Sequence, residues 1–375
     1  MTAREACIAF NLTENIGSVS VAKLAAVCGG IVGAWENYPH KIARTGGEVD
    51  WEAEIRKAKG CGVQIVTPAD EAYPEILKKT PGHPLALYVT GNVDALSTPC
   101  IALVGTRRAT PYGRDQAFKF AKGLAENGWT VVSGLAEGID GEAHRGALEG
   151  GGPTIGILGS ALDCFYPEAN RELAREMVRK GGAVVSEFPF GREPDRQTFP
   201  QRNHVVAALA RGVVAIEAPV KSGTLITAEL AGNLGRTVMA VPGRVDSRAS
   251  AGCLNLLREG ARLVRHAEDV LDEMSNLMAF AQKVAQKQQE QKEEEAKLPV
   301  PDKSADASSP VPEPCYSLEE ALVMRHVEMD GVSIDDLVRR THLPAAKVNT
   351  LCMTLRMKGR VRFFPGNRVA LPRAD

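Results

Sequence analysis

Residues 100–144 read CIALVGTRRATPYGRDQAFKFAKGLAENGWTVVSGLAEGIDGEAH. A short apolar run ends in a glycine-containing polar loop, a helix-like segment follows, and a second apolar run ends in a second such loop. Working outward, the arrangement occurs six times: IALVG (101–105), TVVSG (130–134), TIGILG (154–159), AVVSE (183–187), GVVAIEA (212–218) and TVMAVPG (237–243). Continuous apolar runs rich in Val and Ile, spaced by helical segments, predict strands buried on both faces of a largely parallel sheet. The fold class is therefore α/β. In such sheets ligands gather outside the carboxyl ends of the strands, where these loops lie.

Spacing and stop signals place the helices. One is expected over about 112–126, ending at Asn127-Gly128, and another from Gly138 to the glycines at 150–152. A third follows Pro167 and closes at Gly181-Gly182, and the apolar segment Asn203–Ala210 predicts a buried helix. Upstream, GVQIVTPADEAYPEILKKTPGHPLALYVTGN (62–92) reads as a strand, a turn at Tyr73-Pro74 and an edge strand around Leu85–Val89. The expected domains are a helical module over 1–80, the α/β domain over 81–274, a disordered tether over 275–314 and a winged helix over 315–375. In the module, ENIGSVSVAKLAAVCGG puts a glycine turn before an apolar-periodic helix (Val21, Leu24, Ala25, Val27), as in a helix-hairpin-helix. The tether lacks aromatics and has too little apolar surface to offset its ordering entropy. In the last domain Ser333 is a helix cap, Val348, Leu351 and Leu355 form a stripe, and VRFF and RVAL flank Pro365-Gly366-Asn367. Winged helices read duplex DNA and also mediate protein contacts; the sequence leaves both open.

The chain has 375 residues and a formal net charge of −1, which excludes a globally basic protein. Locally the balance differs. Residues 104–122 carry five Lys/Arg against Asp115, and residues 336–373 carry nine against Asp336. A phosphate polymer responds to such patches rather than to the sum. No apolar run has the length of a membrane span, so a cytoplasmic protein is expected. The eight scattered cysteines form no CxxC pair, which fits buried thiols in a reducing compartment and argues against structural zinc. No metal and no cofactor are expected.

The loops contain no GxxxxGK[ST], no GxGxxG after a strand, no HExxH and no GxSxG, and the histidines are dispersed. His144 reads as a hydrogen-bonded packing residue rather than a base. What the loops do contain suits anion capture. In Gly105-Thr106-Arg107-Arg108 glycine admits a ligand to the backbone and Arg offers a planar fork for phosphate. Ser133-Gly134 through Gly138 lead into a helix N-terminus, and Ser222-Gly223-Thr224 repeat the device at another strand end. After Ser186-Glu187 the connection FPFGREPDRQTFPQRNHVV supplies Arg196, Phe199, Arg202 and Asn203. Cations with an interleaved aromatic suit single-stranded nucleic acid; alternatively Phe199 is a core anchor and Arg202 pairs with Glu187 or Glu217.

The strings VGTRRATPYG, SGLAEGIDGEAH, YPEAN (166–170), SE-x11-FPQRN, EAPVKSGTLITA and AVPGR resemble the DNA processing protein A family (DprA, also called Smf) over nearly the whole chain. The resemblance implies an extended Rossmann-like domain that binds single-stranded DNA, forms a homodimer and helps load the RecA recombinase during natural transformation, without catalysis. It carries over Arg107 as the arginine after the first strand, Arg196 at a place often held by lysine, and Arg202-Asn203 as the family's RN pair. Asn170 of YPEAN joins the expected DNA-binding set. Two departures stand out: the family's RNR continues here as Arg202-Asn203-His204, and its usual closing Ser is Ala210. Two other readings remain in play. One is a nucleotide or sugar-nucleotide hydrolase with SGTLITAE as its phosphate loop and Glu217 or Glu229 as acid. The other makes the winged helix the main reader of duplex DNA.

Overall fold

Nine strands form one sheet in the computed structural model, which describes residues 1–44, 46–276, 322–328, 331–341, 343, 345–357, 360–364 and 368–371. They are β1 (Gln64–Val66), β2 (Leu87–Gly91), β3 (Cys100–Val104), β4 (Thr130–Ser133), β5 (Thr154–Ile157), β6 (Ala183–Ser186), β7 (Gly212–Ala215), β8 (Thr237–Ala240) and β9 (Arg262–Leu263). Their order is β1-β2-β6-β5-β4-β3-β7-β8-β9. Strands β3 to β9 pair in parallel, while β1 and β2 are antiparallel additions beside β6. All six runs read as strands in the sequence form the parallel core.

The doubly covered sheet follows from alternation within single strands. In β3, Cys100, Ala102 and Val104 join an apolar layer with Val205–Ala210, whereas Ile101 and Leu103 join the opposite layer with Phe120, Leu124 and Ile139. Because side chains alternate faces along a strand, apolar residues at every position require cover on both sides. That cover comes from α6 (Pro111–Glu126) and α7 (Ile139–Glu149) on one face and from the short α5 (Glu75–Lys78), α9 (Thr198–Leu209) and α10 (Gly223–Asn233) on the other. The chain winds outward one way from β3 through β4, β5 and β6, then returns to start the other way at β7. The β3/β7 boundary is thus the switch point where the strand-end loops diverge.

Most expected helix ends stand. Helix α6 stops at Glu126 with Asn127 as C-cap and Gly128 at φ +78°, and α7 begins after Gly138. Helix α8 (Arg171–Arg179) precedes Gly181-Gly182, and α9 begins five residues earlier than expected. Three readings need correction. Strand β2 is not an edge, because β1 covers its free side. That same pairing puts residues 64–66 in the sheet, below the boundary expected at 80. Val27 is 85% exposed, since α2 (Ser18–Val27) ends there and only Val21 is fully buried.

Helices α1 (Ala3–Leu12), α2, α3 (Ile31–Asn37) and α4 (Trp51–Gly60) build the N-terminal module. Helix α1 carries a capping box between Thr2 and Glu5. Phe10 meets Trp35 edge-on at 5.1 Å in the module core, and the Asn11 amide donates to the Glu187 carbonyl at 3.3 Å, tying module to sheet. Residues 1–295 form one compact unit and 296–375 another. The tether read over 275–314 lies, beyond residue 276, outside the described residues. In the second unit β10 (Val332–Ser333), β11 (Arg362–Phe364) and β12 (Arg368–Ala370) pair in the order β10-β12-β11. Helices Ile334–Thr341 and Ala345–Met357 pack Leu337, Val348 and Leu355 against them, and Ser333 Oγ accepts from the Asp336 amide at 3.1 Å. The turn at 365–367 is outside the described residues.

Candidate nucleic-acid interface

A cavity of about 360 Å³ opens at the switch point, outside the ends of β3 and β7. The loop after β3 lines it with Gly105, Thr106, Arg107 and Arg108; the loop after β4 adds Gly134. Helix α9 contributes Phe199, Arg202 and Asn203, and the start of α10 contributes Lys221, Ser222, Gly223 and Thr224. Eleven of the fifteen residues expected from the sequence are thereby brought together.

The Arg107 guanidinium lies 4.6 Å from the centroid of the Phe199 ring, a cation–π contact of about 0.5–2 kcal/mol. Phe199 is seated close against Gly159, where any Cβ would crowd the ring, and its other neighbour is Tyr166 at 6.2 Å. Gly159 therefore makes room for an aromatic as well as a turn. On the far side of this stack a recess of about 70 Å³ is lined by Arg107, Glu137, Tyr166, Pro167 and Arg202. The loop carrying Arg107 is held from below. The Thr106 amide donates to the Glu217 carbonyl at 2.7 Å, and the Glu217 carboxylate accepts from the Thr110 amide at 2.9 Å and hydroxyl at 2.6 Å.

The loop after β4 departs from its reading as an anion trap. Its amides already have an anion: Asp140 accepts from Gly134 at 3.1 Å and Ala136 at 3.4 Å. Arg202, 5% exposed, runs beneath this loop and pairs with Asp140 at 3.7 Å. Its guanidinium fills the place a Cβ on residue 134 would need, so only glycine fits there. Burial pushes the Asp140 carboxyl up and the Arg202 guanidinium down, and the pairing opposes both shifts. Arg202 stays charged because a guanidinium has a wide margin above neutral pH. Its partner is thus Asp140, not the Glu187 or Glu217 considered from sequence. Gly138, at φ +80°, lets the chain turn into α7 against the Thr106 and Arg107 carbonyls.

Four expected residues fall outside the cavity lining. Ser133 is fully buried and its hydroxyl donates to the Leu103 carbonyl at 2.6 Å. Asn170 is buried, its amide donating to the Leu135 and Ala136 carbonyls at 2.8 and 3.0 Å. Gly138 serves the helix turn. Arg196 is exposed on the loop before α9. Ser133 and Asn170 hold loops that ligand-facing residues stand on, and neither side chain can reach a ligand. Lys221, outside the expected set, also lines the cavity, and its place directly before Ser222-Gly223-Thr224 at a strand end is the sequence signal for it.

The cationic side of the cavity consists of Arg107, Arg108 and Lys221, all exposed. Other bases of residues 104–122 face carboxylates on the outer helices: Arg114 with Glu142, Lys119 with Asp115, and Lys122 with Glu126 and Glu149. At the start of α10 no side chain caps the helix, and the buried Ser222 hydroxyl has no partner. The Leu225 amide donates to the Ser222 carbonyl at 3.2 Å, which leaves the Gly223 and Thr224 amides beside Lys221 to suit an anion. Glu217 is committed to the Thr110 loop, and Glu229 lines a separate recess with Val238 and Leu256. The cavity thus lacks the acid that either hydrolase assignment requires.

His144 is a packing residue, as read. The Thr154 hydroxyl donates to Val131, so it accepts from His144 Nδ1 at 2.7 Å. Burial pushes the imidazole down to about 3. Its native pKa lies below the unfolded value near 6.5, so the unfolded chain takes up a proton first as pH falls. The stability it supports is complete above pH 6.5 and lost below, by about 2 kcal/mol at pH 5. Urea unfolding at pH 7 and pH 5 should show the wild type losing about 2 kcal/mol more than His144→Gln, a comparison in which the opposite contribution of buried carboxyls with raised pKa values cancels.

The family model for DNA recombination-mediator protein A matches residues 64–275, and the DprA winged helix model matches residues 304–367. The chain belongs to the DNA recombination-mediator protein A family. Among relatives, Protein Smf of Synechocystis is 35% identical over 316 residues, covering 81% of this chain and 79% of that protein. DNA processing protein DprA of Streptococcus pneumoniae is 43% identical over 204 residues, 54% of this chain and 72% of that one. The solved structure of that S. pneumoniae family member superposes with a TM-score of 0.60 at 34% identity, covering 73% of this chain and 98% of that one. A Helicobacter pylori DNA processing protein A structure, described for its single-stranded DNA binding mode, gives 0.51 at 31% identity, with 57% and 96% covered. These matches bear out the family resemblance. Among the described residues no single helix is long and apolar enough to cross a membrane.

Proposed function

We propose that this family member binds single-stranded DNA in the switch-point cavity without catalysis, protects it, and loads RecA recombinase onto it during natural transformation and DNA recombination. The observation that carries the reading is the makeup of the cavity. Cations from two separate loops and an aromatic from α9 converge there, while Asp140, the one lining carboxylate among the described residues, is consumed by Arg202 and backbone amides. Cations meet phosphates and flat groups meet bases, which is the equipment of a strand-binding groove. The single-stranded DNA binding of the H. pylori relative supports the same reading. The protein acts as a cytoplasmic homodimer, because two short sites on one strand gain avidity. Sedimentation showing only monomer at micromolar concentration would count against that part. RecA loading is tested by RecA ATP hydrolysis on single strands precoated with single-strand-binding protein, which this protein should accelerate.

The discriminating experiment concerns the winged helix. A chain ending at Glu295, the limit of the first compact unit, should bind oligo-dT within about threefold of the full chain, a change of under 1 kcal/mol. Loss of all binding would transfer the role to the winged helix. In this reading the strand-binding domain starts at β1 and the winged helix is accessory to it.

A further inference from the structure

Tyr112 is an exposed aromatic on the rim beside the switch-point cavity. It is the second residue of α6, whose first turn is fixed by the bonds of Thr110 to Glu217 and to the Gly113 amide at 3.1 Å. Its hydroxyl donates to the Pro242 carbonyl at 3.1 Å, on the loop that follows β8. Strand β7 lies between β3 and β8 in the sheet, so the side chain crosses the end of β7 and is held at both ends. Phe199, the aromatic of the cavity itself, carries Arg107 on its ring. Tyr112 is 47% exposed, and among the described residues no ring or cation stacks on it.

An aromatic side chain fixed in place and left open is preorganised for a flat partner, since little rotamer freedom remains to be lost on contact. The charges around it favour a nucleobase over a protein side chain. Arg108, just upstream, is exposed and lines the cavity. Arg248, on the loop that follows β8, is exposed and has no partner among the described residues. The acids of the same segments are engaged. Asp115 holds Lys119 at 2.7 Å, Asp246 holds Arg244 at 2.8 Å, and Glu217 is bound to Thr110. What remains is an open ring with unopposed cations on the segments to either side, which suits stacked bases and phosphates. The core of a protein interface is instead depleted in charge.

We propose that a bound single strand leaves the switch-point cavity across the end of β7, stacking a base on Tyr112 and passing its backbone toward Arg248. The inference rests on the strand-binding reading of the cavity and extends the path of the strand beyond it. The base on Tyr112 belongs to a nucleotide outside the cavity.

The test uses the full chain and a fluorescent dT 20-mer in which one thymine at a time is replaced by 5-iodouracil, which cross-links on irradiation to an aromatic ring stacked on it. Digestion and mass spectrometry should place a cross-link on Tyr112 of the wild type. Tyr112→Ala should bind the 20-mer about tenfold more weakly, the worth of one base–aromatic stack. Tyr112→Phe keeps the ring, loses only the anchor, and should stay within about threefold of wild type. Thermal unfolding checks that both variants fold; if either does not, the wild-type cross-link decides. A 20-mer that the wild type binds and Arg107→Glu does not, with no position cross-linking to Tyr112, overturns the proposal and leaves the strand-binding cavity standing. Equal losses in the Ala and Phe variants also overturn it, since they report the tie to Pro242 rather than a stack. So does Tyr112→Ala with unchanged strand affinity and a lost oligomer in sedimentation, which gives the rim to a protein partner. Undiminished binding by Arg107→Glu would instead refute the cavity reading itself.

Discussion

Arg107→Glu is expected to lower the affinity for oligo-dT by about a hundredfold or more. Three losses combine at one position. A charge-assisted contact to phosphate contributes about 1.5–3 kcal/mol, and every 1.4 kcal/mol is a factor of ten. The new carboxylate repels the strand, and the stack on Phe199 disappears together with the cation. Arg107→Lys should keep part of the binding, because a point charge remains without the planar fork. Lys119→Glu is the control, as Lys119 faces Asp115 at 2.7 Å on α6 and does not line the cavity. Fluorescence anisotropy at one fixed low salt concentration reads all three. Arg107→Glu within threefold of wild type would remove this cavity from consideration as the strand site.

The second large effect concerns stability. Asp140→Ala leaves the Arg202 guanidinium buried without its counter-charge and strips the Gly134 and Ala136 amides of their acceptor. Breaking a buried pair from one side costs about 3–5 kcal/mol. Urea denaturation should show it as a shift in midpoint at unchanged slope. The diagnostic partner is Arg202→Met. Combined with Asp140→Ala it should recover most of the loss, since removing both charges also removes the desolvation that each imposes. A single Asp140→Ala variant as stable as wild type would mean that Arg202 reaches water and that its burial is not maintained.

The parallel sheet was legible because its signal is local. Strands covered on both faces must be apolar at every position, and six such runs were visible with their glycine loops. Which strand-end side chain faces a ligand was less legible, for reasons that differ by residue. Ser133 and Asn170 look like loop donors, yet each faces inward to satisfy a carbonyl. Asp140 is by position a first-turn acid of α7, and only the fold reveals that it curls back over its own loop. Helix α9 is apolar around much of its circumference, so its sequence pattern does not divide Phe199, Arg202 and Asn203, which face the switch-point cavity, from Gln201 and His204, which line a separate cavity between the helical module and the sheet. Arg196 carries a charge in the same segment, but it is exposed on the loop before α9 and does not line the cavity. Lys221 directly precedes Ser222-Gly223-Thr224, and nothing in a lone lysine's sequence context distinguishes a cavity-lining cation from a solvated one.

The self-filled loop after β4 gives the switch-point cavity unlike sides. On one side the positive charge of Arg202 is spent internally. On the other stand the exposed cations Arg108 and Lys221 and the Gly223 and Thr224 amides at the start of α10, with Arg107 between the two sides, stacked on Phe199. A strand lying between them would be gripped along its backbone on the charged side and would turn its bases toward the neutral one. Such a grip has a direction: reversing the strand would point its sugars and bases the wrong way. Two copies related by a two-fold axis would then hold one continuous strand in opposite senses, forcing it to double back between them.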